Sequence, residues 1–272
     1  MGFGATLGIG HPVIHSTAII DAKAEVPASV SVGPYSVIDA GVALGEGCVI
    51  GPHVHLTGET TIGKRNTFHT GAVIGDAPQD LKYDGAPTRL RIGDENIFRE
   101  HVTLNRSNSL EEDTVIGSHN FFMAHSHAGH NSVVGDHNIF ANAALLGGHV
   151  VVGDHVFISA YCGVHQFVRV GSLSMMQGHS GASKDVPPFT MVSAGLNKLC
   201  GLNSVGLRRA GFTPEERSEL KACYQRVFLE DENIGQAVEK ALEESPGDKA
   251  RELLEFITAS KRGVCVHGSR KD

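Results

Sequence analysis

The chain has no tryptophan and few other rings, with 4 tyrosines and 12 phenylalanines among 272 residues. A core built on large aromatic side chains is therefore excluded. Basic residues are the minority: 23 Lys and Arg face 30 Asp and Glu, a formal net charge of −7. A nucleic-acid binder normally carries the opposite balance, so no nucleic-acid partner is expected. The five cysteines (Cys48, Cys162, Cys200, Cys223 and Cys265) are odd in number, widely spaced and free of any Cys-x-x-Cys pair. They read as free thiols in a reducing compartment. No apolar run is long enough to span a bilayer. The opening MGFGATLGIG is apolar but has neither the basic start nor the long apolar stretch of a signal peptide. It also fits a loose myristoylation pattern, a short match that chance readily supplies. A cytoplasmic protein is expected.

Glycine is abundant, at 33 residues, but it does not fall at every third position, which excludes collagen. The pattern present has a period of six. From Ile14, steps of six give Ile20, Val26, Val32, Ile38, Leu44, Ile50, Leu56, Ile62, Phe68 and Ile74, eleven apolar residues in unbroken phase. The phase resumes at Ile92, Phe98 and Leu104, and again from Ile116 to Met176, often with glycine just after the apolar residue. No helix has this period. Short parallel strands that turn every six residues, each aiming one side chain inward, bury a continuous core when successive coils stack. Three sides make a coil of 18 residues, rising roughly 4.8 Å. The fold class is a parallel β-helix of hexapeptide repeats over 1–187.

Two segments break the phase: 77–90 (APQDLKYDGAPTRL) and 105–113 (NRSNSLEED). Both are expected to loop out of the prism, and the second, acidic one reads as a tolerated insertion. After VPPFT the pattern becomes helical, so 188–272 forms a small α-helical C-terminal domain. Thr213, Pro214 and Glu216 form a capping box that opens a helix to about Phe228, with further helices over 234–244 and 249–260.

Sixteen histidines are many for this length. With 18 residues per coil, His130, His149 and His165 fall around one angular position on three successive coils, and His127 lies beside His130. Converging imidazoles there would supply a general base poised near neutral pH. His119, His137 and His155, spaced by 18, form a second ladder, which reads as solvated turn residues. Two chemistries compete for the first group. A neutral imidazole would take a proton from a hydroxyl that attacks a thioester, with a backbone N–H at the oxyanion. Alternatively, three imidazoles and a water would make a zinc hydratase, for which His125, His127 and His130 need help from a neighbouring subunit.

The prism, GDAPQDLKYDGAPTR (75–89), MAHSHAGHN (123–131), GGHVVVGD (147–154), GVHQF (163–167), KDVPP (184–188) and GLRRAGF (206–212) together resemble the acyl-carrier-protein:UDP-N-acetylglucosamine O-acyltransferases of lipid A biosynthesis. The resemblance covers nearly the whole chain and implies a left-handed helix, although parallel crossovers in general favour the right hand. It implies transfer of a 3-hydroxyacyl chain to the sugar 3-hydroxyl, the first step of that pathway. His130 is then the general base and the Gly148 N–H the oxyanion donor. His127, His149 and His165 line the cleft, while Asp80, Lys82 and Gln166 contact substrate. Asn203 and Arg209 hold the nucleotide, and Gly178 leaves room for a long acyl chain. No metal and no resident cofactor is implied, since the donor arrives on the phosphopantetheine of acyl carrier protein.

The resemblance further implies a homotrimer with sites between neighbouring prisms. The acidic carrier would dock on a local basic patch drawn from Lys198, Arg208, Arg209, Arg217 and Lys221. The chain departs from the family pattern at Asn131, where an acid is usual after the catalytic histidine, at Val205, and at NRS (105–107) in place of HRG. A 3-amino acceptor, a zinc hydratase of the γ-carbonic-anhydrase type and a non-catalytic binding scaffold stay open at this level.

Overall fold

The computed structural model describes residues 13–268, so the N-terminal segment read above for targeting lies outside the described residues. Strands mostly two to four residues long recur at the six-residue period. They stack into three sheets of 10, 7 and 11 strands, the faces of a left-handed parallel β-helix. The pairing confirms the coil length: Ile38 sits over Leu56, and Phe122 over Phe140, eighteen positions apart. The two interruptions appear as longer offsets, thirty from Val73 to Thr103 and twenty-four from Thr103 to His127. These exceed one coil by twelve and six residues, so the apolar phase reads through both loops unchanged.

Most corners turn on one residue in the left-handed backbone region. His53, His101, His119, His125, His137, His149, His155 and His179 occupy such corners, with φ between +54° and +61°. Histidine is among the residues enriched in this conformation. Half of the sixteen histidines are thus placed where the backbone favours them, whatever their chemistry. Between corners the coils touch closely; a Cβ added to Gly45 would lie 2.5 Å from the Gly63 carbonyl on the next coil.

The in-phase residues from Val32 to Met176 are buried, as the period predicts, while Ile14, on the first described coil, is 53% exposed. Phe68, Phe98, Phe122 and Phe140 stack along the axis with centroids 4.9, 5.2 and 4.3 Å apart. Beside them runs a ladder of buried asparagines. The backbone N–H of Asn96, Asn120 and Asn138 donates to the side-chain oxygen of Asn66, Asn96 and Asn120 at 2.9, 2.8 and 2.8 Å. Buried asparagines bonded in this way fix the register of coil on coil, with the Nδ2 of Asn138 the one end lacking a partner among the described residues.

The strand stacks run on through Thr190–Val192, Gly195–Leu196 and Lys198–Leu202, the last turning antiparallel. Among the described residues four helices follow: α1 (Ser204–Arg209), α2 (Pro214–Phe228), α3 (Ile234–Glu243) and α4 (Asp248–Thr258). The capping box at Thr213 forms in both directions. Leu220, Val227, Val238, Leu253, Leu254 and Ile257 join the helices to the common core. The tail returns as Val266–His267 to pair with Lys198–Leu199. Buried Asp185 ties the two regions together, accepting from Arg169 Nε and Ser260 Oγ, both at 2.9 Å. All five cysteines are free thiols. Among the described residues no helix is long and apolar enough to cross a membrane.

Phe122→Ala removes the middle of the ring stack and should cost about 3–5 kcal/mol. Chemical denaturation measures it; a loss below about 1 kcal/mol would contradict a tightly packed axial core.

Candidate functional site

A cleft of 720 Å3 runs along one corner of the prism. His127, His130, Gly148, His165 and Gln166 line it, with Leu145 and Leu196 as an apolar wall, 48% and 60% exposed. The strands His127–Ala128, Leu145–Leu146 and Gly163–Val164 lie side by side. His130, Gly148 and Gln166 therefore occupy the same turn position on successive coils. Glycine is dictated at the middle one: a Cβ on Gly148 would sit 2.6 Å from Cε1 and Nε2 of His130. The His130 ring thus rests against the Gly148 backbone. Among the described residues the Gly148 N–H has no hydrogen-bond partner, while its carbonyl accepts from the Phe167 N–H.

The tautomer of His130 follows from its neighbour. Asn131 occupies a left-handed corner, φ +57°, and is 4% exposed. Its Oδ1 accepts from the Asn108 backbone N–H at 3.0 Å, and its Nδ2 faces Glu112 Oε2 at 3.2 Å. A peptide N–H only donates, so the amide cannot be flipped. His130 Nδ1, 2.9 Å from that same Oδ1, must carry the hydrogen. In the neutral ring the nitrogen without a hydrogen is then Nε2, on the edge against Gly148.

His149 meets the His130 ring edge-on, with centroids 5.2 Å apart, and stacks on Phe167 at 4.5 Å. Burial holds its pKa below the ordinary imidazole value; His130 adds to this, while Glu112, 3.6 Å away, and Asp80 oppose it. His127 is likewise held low by burial, against a hydrogen bond with the Thr103 backbone, and His130 lowers it further; its Nδ1 also meets the Thr103 hydroxyl at 2.8 Å. Asp80 accepts from the Lys82 backbone N–H at 3.0 Å and the Asn108 amide at 2.8 Å, bonds that hold its carboxyl low. His130 is close enough to add to that effect. Lys82 is exposed.

The acidic loop is packed onto the site, which corrects its reading as a tolerated insertion. Asn108 and Glu112 hold Asn131, and Arg106 pins the other loop by binding the Gly75 carbonyl at 2.9 Å and the Tyr83 hydroxyl at 3.1 Å. Asn105 Nδ2 donates to the Ala77 carbonyl at 3.0 Å, while its Oδ1, on the cleft wall, is buried without a partner among the described residues. Coil arithmetic contained a signal for Glu112, which precedes His130 by eighteen residues. Arg262 was missed as well; it donates to the Gln166 carbonyl at 2.8 Å and the Ser183 carbonyl at 3.1 Å, and approaches His165 Nδ1 at 3.5 Å. It lies far along the chain in a helical tail, where no period points to it.

Three residues named from the sequence lie elsewhere on this chain. Gly178 is outside the cleft, in open surroundings where an added Cβ would meet only the Ala160 carbonyl at 3.5 Å. Asn203 and Arg209 line a separate cavity of 780 Å3 with His137, His155 and Phe157. The Asn203 side chain is already engaged there. Its Oδ1 caps α1 through the Gly206 N–H at 3.0 Å, and its Nδ2 donates to the Leu173 carbonyl at 2.8 Å. The rings of His119, His137 and His155 stack 4.7 and 4.8 Å apart, nearly parallel, at exposed corners. His125 stacks on His101 at another corner, at 5.2 Å. With His127 bound to Thr103, no three His, Cys, Asp or Glu side chains among the described residues converge as metal ligands.

A hexapeptide-repeat prism with an imidazole-lined cleft along one corner is the scaffold of the hexapeptide acyltransferases, the class that fold and site define. A family model described as UDP N-acetylglucosamine O-acyltransferase, domain 2, matches residues 185–265. The chain is 44% identical over 254 residues to the acyl-[acyl-carrier-protein]–UDP-N-acetylglucosamine O-acyltransferase of Thermodesulfovibrio yellowstonii, covering 93% of this chain and 98% of that one. The protein of that name from Xanthomonas axonopodis pv. citri is also 44% identical, over 92% and 97% of the two chains. The solved UDP-N-acetylglucosamine acyltransferase of Campylobacter jejuni superposes with a TM-score of 0.87 at 31% identity, covering 94% of this chain and all of that one. The chain belongs to the acyl-[acyl-carrier-protein]–UDP-N-acetylglucosamine O-acyltransferase family.

His127 and His149 titrate lower in the fold than in the unfolded chain. As pH falls below about 6.5, the unfolded chain takes up these protons first, and stability drops until the depressed folded values are reached. The depressed carboxylates act only at lower pH. His127→Gln, which cannot take up that proton, should lose less thermal midpoint than the parent between about pH 7 and pH 5. Parallel loss in the two proteins would contradict a neutral, buried His127.

Proposed function

We propose that the chain transfers a 3-hydroxyacyl group from acyl carrier protein to the 3-hydroxyl of UDP-N-acetylglucosamine, the first step of lipid A biosynthesis, with His130 as general base. One observation carries this reading: in the neutral tautomer the Nε2 edge of His130 lies against a glycine backbone whose N–H is unbonded among the described residues. Nε2 takes the proton of the sugar 3-hydroxyl as that oxygen attacks the thioester carbonyl. The Gly148 N–H stabilises the oxyanion. Collapse breaks the carbon–sulfur bond, and the proton on His130 passes to the departing phosphopantetheine thiolate. The reaction leaves ester and free thiol in balance, and no resident cofactor takes part.

His127, His149, His165, Gln166, Asp80 and Lys82 contact the substrates in this reading. The exposed Leu145 and Leu196 give the cleft an apolar side suited to the acyl chain. Assembly as a homotrimer sets the Asn203 and Arg209 face of one chain opposite the His130 cleft of the next, which accounts for two separate cavities on a single chain. A guanidinium suits a diphosphate in geometry as well as charge. Gly178, outside the cleft of a single chain and with open space about it, would leave room for a long acyl chain where a neighbouring chain completes the groove. Five free thiols and the carrier-bound donor fit a cytoplasmic location.

The test is acyl transfer by parent and His130→Ala, after metal analysis of both. The metal-free parent should turn over, and the variant should fall by at least about a hundredfold. Equal rates would remove the base, and no turnover by a parent that carries stoichiometric zinc would favour the hydratase. Arg217 and Lys221 share one surface cavity beside Cys200 and Tyr224. Arg217→Ala with Lys221→Ala should raise KM for the acidic carrier about fivefold or more and leave KM for the nucleotide unchanged. An unchanged carrier KM would move the docking patch elsewhere.

A further inference from the structure

The second loop re-enters the prism at Thr114, and this brings Glu112 to the coil beneath His130. We infer that Glu112 is a positioning residue for the His130 base and acts on it through Asn131. This rests on the reading of His130 as the base. The connection is a directed chain of two bonds: His130 Nδ1–H to Asn131 Oδ1 at 2.9 Å, then Asn131 Nδ2–H to Glu112 Oε2 at 3.2 Å. The Asn108 N–H on Oδ1, and the Thr114 hydroxyl accepting from the Asn131 N–H at 2.7 Å, leave the amide one orientation.

The amide fixes the tautomer, and the carboxylate supplies the charge. As Nε2 gains its proton, positive charge spreads over the ring, and the donors and acceptors of the chain polarise in step. Glu112 then lowers the energy of the imidazolium although it does not touch the ring. Among the described residues, Asp80, His127 and His149 interact electrostatically with His130, and His165 lines the same cleft. None of them is altered in the variants below.

Glu112 also lies 3.6 Å from His149 Nδ1, so the test must separate the two routes. Glu112→Gln keeps a hydrogen-bond acceptor for the Asn131 amide but removes the charge. Removing a negative charge makes the imidazolium less favourable, so the acidic limb of the rate profile should move to lower pH by about half a unit. The weaker base should lower kcat about two- to fivefold, with KM for both substrates within about twofold. Asn131→Asp alone sets two carboxylates in contact, whereas Asn131→Asp with Glu112→Gln restores one charge and a donor to meet it. The double variant should recover the parent kcat, with an acidic limb at or above the parent's.

A Glu112→Gln profile superimposable on the parent would overturn the inference. So would a rise in KM at unchanged kcat, which would assign Glu112 to His149, or a loss in Glu112→Ala alone, which would make it only a loop anchor. His130→Ala, run alongside, keeps the two levels apart. If that variant stays active, the base itself is wrong; if it is dead while Glu112→Gln is silent, only the relay is wrong.

Discussion

Everything in this protein hangs on a backbone that turns a corner every six residues, at most corners through one left-handed residue, and then hydrogen-bonds to the coil eighteen residues away. That constraint makes the molecule nearly one-dimensional, because each coil touches only its neighbours. It sorts side chains into columns: phenylalanines on the axis, asparagines beside them, glycines where coils press together, histidines at corners. It also builds the site. His130, Gly148 and Gln166 form one column, and because the middle member lacks a side chain, an imidazole rests on bare backbone.

The fold was legible because its signal is local and periodic. Eleven residues in phase needed no knowledge of distant contacts, and the helices α2, α3 and α4 were marked by a capping box and apolar spacing. The site was legible only in part. Coil phase brought His130, His149 and His165 to one corner, but the same arithmetic applied to acids would have exposed Glu112 as well. Histidine count was a poor guide, since the corner conformation places eight of them and His149 serves both corner and cleft. Asn108 and Arg262 carried no sequence signal. Their positions depend on where a loop and a tail close in space, which no period encodes.

Asn131 shows how the local and distant parts interlock. An amide in place of a carboxylate orients the imidazole as firmly, because its own orientation is held by a backbone N–H from the acidic loop. It offers no charge of its own. The acidic loop therefore belongs to the chemistry of the cleft as much as the prism does, and the insertion supplies both the clamp and the nearest acid beyond it.

The central claim is that His130 presents an unprotonated Nε2 to the cleft. Nitrogen-15 NMR of histidine-labelled protein, assigned with His130→Ala and recorded above the imidazole titration range, tests it most directly. The account predicts that His130 holds its hydrogen on Nδ1, with Nε2 at the shift of an unprotonated ring nitrogen. A His130 signal showing the hydrogen on Nε2 would contradict it, because a nitrogen that already carries its hydrogen cannot accept the proton of the sugar hydroxyl.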